Sequence, residues 1–240
     1  MLECHRCFWL QIVKGIKRPS SPFPSLPSGM DLILKKHFDR FMERGELPPE
    51  IRETCRDCKL FSDKKLLEVW RNNRKGIEFL DKNTGVLLHG AIDNILISKS
   101  GKLIVLDYKT RGYPLKEDTH EYYQTQMDLY NFLLNKNGYK TEDFTYLLFY
   151  FPKEVKETGE VIFDTELVKI KTSFLNGEKI FNKAIMLIKG KEPEKSCEWC
   201  GRKMKNYLSS SFFISSAFFS ILNLTPSFRV IASIRLWIIS

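Results

Sequence analysis

The chain has 240 residues, of which 43% are hydrophobic and 28% are charged, and its formal net charge is +9 at neutral pH. This composition excludes a disordered or fibrous protein and is typical of a globular protein with one main domain. The excess of basic residues favours a polyanionic partner, either nucleic acid or an anionic membrane, and a role in solubility alone is the competing explanation.

The first 27 residues combine a cysteine pair, Cys4 and Cys7, with a proline-rich segment. Charged and polar residues interrupt every apolar run as far as Lys14, which predicts no secretory signal and hence a cytoplasmic location. The segment RPSSPFPSLPSG then contains four prolines. Proline breaks a helix interior, so we expect this segment to be extended and to cross from one structural unit to another.

A helix is predicted from Ser28 to Gly45. Ser28 and Asp31 fit an N-terminal capping box, and Gly45 is a typical stop signal. The apolar positions that repeat at helical spacing are Met30, Ile33, Leu34, His37, Phe38 and Phe41. His37 therefore lies on the predicted apolar face.

Three strands and a second long helix are predicted after a short helix near residues 66–70. The predicted strands cover 76–80, 86–97 and 102–109, and the turn segments DKNTG and SKSG separate them. A helix capped by Asp118 and closed at Gly138 leads to a buried strand at 146–151. The order is αβββαβ. A strand near 161–171 and a helix near 173–189 follow.

The composition changes abruptly at Leu208. From there to the end of the chain, only Arg229 and Arg235 are charged, and serine is frequent among the apolar residues. The uncharged stretch 206–228 is long enough to span a bilayer. A membrane anchor, a poorly ordered or partner-bound tail, and a non-native end are three open interpretations.

Two aspartates and a lysine lie within the apolar strand runs. Side chains alternate along a strand, so Asp107 and Lys109 project from the same face. If the turn 99–101 ends with Gly101 in the left-handed conformation, Ser98 pairs with Lys102 and Asp93 lies opposite Asp107. A register shifted by one residue would place Asp93 on the other face.

Paired carboxylates repel each other unless a cation lies between them, and Mg²⁺ suits a site with a few carboxylate ligands and several waters. Asp93 and Asp107 are therefore candidate ligands for Mg²⁺ or Mn²⁺, and Lys109 is a candidate group for orienting water or stabilising charge on phosphorus. The structural alternative is that Asp93 caps a turn while Asp107 and Lys109 form a surface ion pair.

Three motifs carry a resemblance to a known family. GAID, which ends at Asp93, and LIVLDYKT, which contains Asp107 and Lys109, resemble the signature of the PD-(D/E)XK nuclease superfamily. QMDLY, with Gln126 and Tyr130, is similar to the Q-x-x-x-Y motif of the RecB-like branch. The resemblance covers about residues 4–205 and implies a restriction-endonuclease-like α/β fold, with an αβββαβ core and a mixed central sheet flanked by helices.

The resemblance also implies roles for individual residues. Asp93, Asp107 and Lys109 match the metal ligands and the catalytic lysine, and Gln126 and Tyr130 match a substrate-facing motif on one helix face. Core packing is the alternative for this last pair. RecB-like nucleases add a histidine ligand four residues after a glycine of the first helix, but Ile33 occupies that position here. His37, one turn further on, is a candidate substitute or a core histidine. Asp31 is a candidate exposed helix cap and a weaker candidate for the metal.

All six cysteines form C-x-x-C pairs: Cys4 with Cys7, Cys55 with Cys58, and Cys197 with Cys200. In a reducing compartment this spacing favours metal ligation. The first and last pairs flank the core, so a shared site would join the chain ends. That arrangement is similar to iron–sulfur RecB-like nucleases, including CRISPR-associated ones, although those commonly divide their cysteines one and three. An iron–sulfur cluster, Zn²⁺ and no metal are all open. For Cys55 and Cys58 a free, surface pair is favoured over a second site completed by other ligands or another subunit.

The sequence therefore predicts four segments: an N-terminal cysteine and proline segment, a nuclease-like core, a C-terminal cysteine pair, and an apolar tail. Their ranges are 1–27, 28–190, 191–207 and 208–240. The expected function is Mg²⁺-dependent hydrolysis of DNA without sequence specificity, in repair, recombination or defence, with Arg111, Lys116 and the KKH segment 35–37 contacting the backbone. A non-catalytic nucleic-acid-binding or assembly module of the same fold is the alternative.

Overall fold

A computed structural model describes residues 3–18, 25–203 and 233–235. Within these residues the chain forms two compact units. The first contains the described parts of Met1–Ser21, Leu80–Leu87 and Asn182–Ile234, and the second contains those of Pro22–Phe79, Leu88–Phe181 and Arg235–Ser240. The segment boundaries that the sequence analysis placed at residues 28, 191 and 208 stay predictions.

The described residues form six α-helices and eight β-strands. The helices are α1 His5–Val13, α2 Ser25–Arg44, α3 Pro49–Arg52, α4 Lys64–Trp70, α5 Gln124–Lys136 and α6 Phe174–Lys189. The strands are β1 Lys59–Leu60, β2 Ile77–Asp81, β3 Val86–Gly90, β4 Asn94–Ile97, β5 Leu103–Thr110, β6 Phe144–Val155, β7 Val161–Lys171 and β8 Ser233–Arg235. A 3₁₀ turn, Thr119–Tyr123, leads directly into α5, and a π-helical turn, Trp199–Lys203, follows α6.

The main sheet has five strands in the order β1-β4-β5-β6-β7. Strand β5 pairs with β4 in the antiparallel sense and with β6 in the parallel sense, and β6 pairs with β7 in the antiparallel sense. The parallel pair is joined through α5, because parallel neighbours need a long crossover connection. This mixed sheet with flanking helices confirms the predicted α/β fold of the restriction-endonuclease-like type. A second sheet contains β2, β3 and β8 in that order.

Strand β5 is buried along almost its whole length because it is central in the sheet and both of its faces are covered. On one face, Leu106 and Tyr108 join a core cluster with Leu34 and Phe38 of α2. The Phe38 and Tyr108 rings are 4.7 Å apart between centroids. Asp107 and Lys109 therefore project from the opposite face, towards α5.

The hairpin between β4 and β5 has the register that the turn chemistry predicted. Gly101 has φ +80°, and the Ser98 amide donates to the Lys102 carbonyl at 2.9 Å. The ladder pairs Asn94 with Leu106, so one further step places Asp93 opposite Asp107. The left-handed conformation at position 101 is accessible to glycine at little cost, and it sets the face on which Asp93 lies.

Helix α2 begins at Ser25, three residues before the predicted start, so the capping box proposed for Ser28 and Asp31 is wrong. Pro27 lies in the first turn, where the missing amide hydrogen would have no intrahelical partner in any case. Asp31 accepts a hydrogen bond from Lys35 at 2.8 Å instead of capping the helix. Ile33, which was expected on the apolar face, is 55% exposed.

The single strand predicted for residues 86–97 is divided into β3 and β4. Between them, the backbone groups of residues 91–93 bond outside the sheet. The Ala91 carbonyl accepts from the Tyr130 hydroxyl, the Ile92 amide donates to the Trp70 carbonyl, and the Asp93 carbonyl accepts from Arg71. Because buried backbone groups need partners, these three bonds make the break in the strand tolerable.

The second long helix also differs from its prediction. Residues 119–123 form the 3₁₀ turn before α5 begins, and Asp118 occupies the capping position without a side-chain capping bond. Gly138 follows the helix with φ +85°, as expected for a stop signal. The short helix near 66–70 and the strand at 161–171 agree with the sequence analysis.

Most of the apolar tail, including the whole of the stretch 206–228 considered as a membrane anchor, lies outside the described residues. Of this tail the structure describes the strand β8. Within residues 3–18, 25–203 and 233–235, none of the helices has both the length and the apolar character that crossing a lipid bilayer requires.

Candidate active site

Asp93 and Asp107 lie side by side at the end of the β4–β5 hairpin, and both are buried. Asp107 is 0% exposed and Asp93 is 6% exposed. The Asp93 Oδ2 atom accepts a hydrogen bond from the Tyr108 amide at 3.0 Å. Its own backbone carbonyl is bound by Arg71 Nε at 2.6 Å. The carboxylate of Asp93 is therefore anchored from two sides, next to the strand that carries Asp107.

Lys109 is the third buried charge at this place. Its Nζ atom lies 2.6 Å from Asp107 Oδ2 and 3.3 Å from Gln126 Oε1. It also lies 4.8 Å from the centroid of the Tyr123 ring, which is a cation–π arrangement. The alternative of a surface ion pair for Asp107 and Lys109 is wrong, because the side chain of Lys109 is only 4% exposed.

The protonation of Asp107 is shifted by its surroundings. Burial raises its pKa, and so does the neighbouring charge of Asp93, while Lys109 lowers it, and the result is a pKa of about 7. For Lys109, burial lowers the pKa, but the carboxylates of Asp107 and Asp93 more than offset that effect, so its pKa is raised. Lys109 is thus a cation, and Asp107 becomes fully ionised only above neutral pH unless more positive charge is supplied.

Gln126 and Tyr130 lie one turn apart on α5 and connect Lys109 to the break in the sheet. Gln126 Nε2 donates to the Tyr130 hydroxyl at 2.9 Å, and that hydroxyl donates to the Ala91 carbonyl. Tyr130 is 0% exposed, so it lies in the interior and not at the surface where the resemblance placed a substrate contact. The hydrogen bonds that connect Lys109 to the Ala91 carbonyl support the backbone segment that carries Asp93.

Two residues of α2 complete this group: Asp31, which the sequence analysis offered as a weak metal candidate, and Lys35, which it offered as a DNA contact. Lys35 Nζ lies 2.8 Å from Asp31 Oδ2 and 3.1 Å from Asp93 Oδ1, so its ammonium bridges two carboxylates. Burial and the charge of Asp93 raise the pKa of Asp31. The spacing of Asp31 and Lys35 at i and i+4 was visible in the sequence as a helix pair. Their contact with Asp93 required the packing of α2 on the sheet.

His37 lies elsewhere. Its Nε2 atom is 2.9 Å from Glu50 Oε1, and its ring packs edge-on against Phe38 and Phe41. Among the described residues, a group of three or more potential metal ligands lies close enough to share one ion, and all of its members are cysteines. His37 and the two aspartates do not form such a group. The proposed metal role of His37 has no support in these contacts.

The basic residues named as candidate DNA contacts differ in their exposure and in their partners. Lys36 and Lys116 are exposed and Arg111 is half-buried. Lys35, in contrast, is occupied by Asp31 and Asp93 and is not a free surface cation. The KKH segment was therefore read incorrectly as a uniform basic surface.

The first and last cysteine pairs meet within the first unit. The Sγ atoms of Cys4, Cys7, Cys197 and Cys200 all lie within 4.8 Å of one another. Burial raises the pKa of the Cys7 thiol to about 12, whereas a hydrogen bond from the Cys200 amide lowers that of Cys197 to about 6. Four thiols at this separation could bind a metal, and the sequence prediction of a shared site stays a prediction. Cys55 and Cys58 lie outside this group, and the prediction of a surface pair is wrong for Cys55, which is 1% exposed.

The aspartate site fits a divalent cation by its donor set. Asp107 Oδ2 is paired with Lys109 Nζ at 2.6 Å, whereas the buried Asp107 Oδ1 accepts no hydrogen bond from a described residue. Buried carboxylate oxygens without hydrogen bonds are costly. A cation held by Asp93 and Asp107 would satisfy this oxygen, and hard carboxylate oxygens are the ligands that Mg²⁺ and Mn²⁺ prefer.

Comparison with known proteins agrees with this geometry. A sequence model described as the PD-(D/E)XK nuclease superfamily matches residues 29–204. A comparison with curated proteins found no match. The matched range covers well over half of the chain. It includes most of α2, all five strands of the main sheet, α5 and the last cysteine pair. On this evidence, the chain belongs to the PD-(D/E)XK nuclease superfamily.

Proposed function

We propose that this protein is a metal-dependent DNA nuclease that hydrolyses phosphodiester bonds at the site formed by Asp93, Asp107 and Lys109. The observation that carries the proposal is the burial of two carboxylates and an ammonium beside one another, Asp93 just before β4 and Asp107 with Lys109 on β5, with Asp107 Oδ1 lacking a hydrogen bond. Burying three such charges for stability alone is unfavourable, because desolvation offsets most of the attraction between them. A functional cation site explains why they are retained.

The residues of this chain have distinct parts in the proposed reaction. Asp93 and Asp107 would hold Mg²⁺ or Mn²⁺, which supplies Lewis-acid chemistry and lowers the pKa of water. Lys109 stays protonated beside Asp107, and its ammonium donates a hydrogen bond to the attacking water or to a phosphate oxygen. Gln126 accepts from Lys109 Nζ and sets its direction. Tyr130 is a positioning residue, since it acts through Gln126 and Ala91.

The DNA backbone would contact the exposed basic residues near the site, with Lys36 and Lys116 as the first candidates. Such binding depends strongly on salt and needs no base-specific contacts. Tyr113 and Tyr122, which are 80% and 79% exposed, lie between Lys109 and Gln126 in the sequence and offer rings on which unpaired bases can stack. These features support a DNA substrate bound without sequence specificity. We further propose a role in repair, recombination or defence in the cytoplasm, as the sequence analysis predicted.

The central test compares wild type with Lys109→Ala on labelled single- and double-stranded DNA, with Mg²⁺, with Mn²⁺ and with chelator. Loss of a charge that acts in the transition state is expected to lower cleavage by at least about 100-fold. Binding to the same DNA in Ca²⁺ should be retained. Lys109→Gln, which preserves more of the side-chain volume, should behave alike if the charge is what matters.

Lys102→Ala is the matched control, because Lys102 immediately precedes β5 and pairs with Glu142 at 3.3 Å. It should cleave at the wild-type rate. Equal cleavage by wild type and Lys109→Ala would contradict the assignment of Lys109. DNA binding without metal-dependent cleavage by wild type would instead identify a non-catalytic nucleic-acid-binding module.

Lys35 leads to a separate prediction about metal affinity. Its ammonium bridges Asp31 and Asp93, so it competes with a divalent cation for the same oxygens. At about pH 8, where the carboxylates are largely ionised, we expect Lys35→Gln to lower the Mn²⁺ concentration for half-maximal thermal stabilisation. A change of roughly 10-fold corresponds to about 1.4 kcal/mol. Lys36→Gln, one residue further on and exposed, should leave this concentration unchanged. A weaker response to Mn²⁺ in Lys35→Gln would mean that Lys35 supports metal binding.

A further inference from the structure

The four cysteine sulfurs are unusually close for groups that come from opposite ends of the chain. Cys7 Sγ lies 3.4 Å from Cys197 Sγ, Cys197 Sγ lies 3.7 Å from Cys200 Sγ, and Cys4 Sγ lies 3.8 Å from Cys200 Sγ. All four sulfurs fit within 4.8 Å of one another. We infer that they bind one tetrahedral metal ion, Zn²⁺, and not a polynuclear iron–sulfur cluster.

The sulfur separations distinguish the two kinds of site. Zn²⁺ binds thiolates at about 2.3 Å in a tetrahedron, which places neighbouring sulfurs about 3.8 Å apart. In an iron–sulfur cluster, thiolates bound to different irons are separated by the metal–sulfide core as well as by two metal–sulfur bonds, so some pairs must lie roughly 6 Å apart. The present upper limit of 4.8 Å leaves no room for that core.

The coordination is complete without any outside ligand. Four thiolates fill a tetrahedron, which is typical of a structural zinc site and not of a catalytic one with an open position. The cysteines belong to a small apolar cluster with Trp9, Leu10, Ile16 and Trp199. The Trp9 indole nitrogen donates to the Gly190 carbonyl at 3.1 Å, which fixes α1 against the segment after α6. The proposed ion therefore holds two distant segments of one unit together.

The surroundings also offset the negative charge of four thiolates on a divalent ion. The amides of Cys7 and Cys197 donate to the sulfurs of Cys4 and Cys200 at 3.5 Å and 3.2 Å. Arg18 Nη2 lies 3.6 Å from the Cys197 sulfur, and Arg18 Nη1 pairs with Glu3 at 2.6 Å. Hydrogen bonds of this kind orient metal ligands and adjust their affinity. Arg18 is thus a positioning residue for the ion.

The test measures metal and acid-labile sulfide in the full-length chain, purified both aerobically and anaerobically. We expect one zinc per chain, no acid-labile sulfide and no visible absorption. Replacement by Co²⁺ should give the intense visible bands of a tetrahedral tetrathiolate. Iron together with sulfide in the anaerobic preparation would overturn the inference, as would iron alone or the absence of bound metal.

Two variants link the metal to these residues without relying on DNA cleavage. Cys200→Ser should lower the zinc content and change the Co²⁺ spectrum, whereas Cys58→Ser, outside the group, should retain one zinc per chain. Arg18→Gln should still bind zinc but release it to a chromophoric chelator about 10-fold faster. Unchanged zinc content in Cys200→Ser would overturn the inference, and unchanged release in Arg18→Gln would remove Arg18 from it.

Discussion

Asp107→Asn is expected to reduce DNA cleavage by at least about 1000-fold, because it removes a ligand of the proposed cation and that cation's stabilisation is worth several kcal/mol. The side chain keeps its size and still fits a site that is 0% exposed. Divalent metal should no longer raise the thermal stability of this variant. The measurements are single-turnover cleavage with Mn²⁺ and melting temperature with and without Mn²⁺.

The same variant tests the shifted pKa of Asp107. The folded-state pKa is raised from 3.8 to about 7, so the folded protein holds a proton that the unfolded chain releases over that range. Without metal, the contribution of Asp107 to the free energy of unfolding is therefore fully present below about pH 4 and is lost as the pH rises to about 7. In denaturant unfolding, the free energy of unfolding of wild type should decrease over this pH range relative to that of Asp107→Asn. Saturating Mg²⁺ should make this decrease smaller.

Asp118→Asn is the matched control, since Asp118 is exposed at the start of the 3₁₀ turn and makes no side-chain capping bond. Its cleavage rate, its response to Mn²⁺ and the pH dependence of its stability should equal those of wild type. Full cleavage by Asp107→Asn, or identical pH profiles for the two variants, would contradict the role given to Asp107.

Cys7→Ser is expected to lower the free energy of unfolding by about 3 kcal/mol or more, because a structural metal site contributes its binding energy directly to folding. The partners Cys7 and Cys197 are 190 residues apart in sequence, so the site closes a very long loop. In the chain-entropy view, closing a long loop gives the largest stabilisation. Thermal and denaturant unfolding of the metal-loaded protein measure the loss.

Cys58→Ser controls for the loss of a thiol outside the group, and its stability should change by less than about 1 kcal/mol. A strong chelator should destabilise wild type and Cys58→Ser alike and leave Cys7→Ser unaffected. If Cys7→Ser unfolds like wild type and still responds to chelator, these thiols do not hold a stabilising metal.

The sequence predicted the parts of the site that depend on local chemistry. The turn that ends at Gly101 sets the register of the hairpin, and this register determines that Asp93 faces Asp107. Alternation along β5 then places Lys109 beside Asp107. Both inferences follow from the geometry of neighbouring residues, which is why they could be made before any long-range contact was known.

Other parts depended on packing that sequence patterns do not encode. Capping signals placed the start of α2 at Ser28, but proline is tolerated in a first turn and the helix begins at Ser25. Continuous β-propensity predicted one strand through residues 91–93. The tertiary contacts of Trp70, Arg71 and Tyr130 instead provide partners for that backbone and divide the strand.

Taken alone, the sequence determined the α/β fold class, the carboxylate pair with its lysine, and the cysteine spacing, because these follow from periodicity, turn residues and short motifs. The tertiary structure decided which distant groups meet them. In the folded protein, Lys35 lies between Asp31 and Asp93, and His37 contacts Glu50. The sulfurs of four cysteines lie close together. These contacts join residues far apart in the chain, and their free energy depends on burial and distance that only the packed fold establishes.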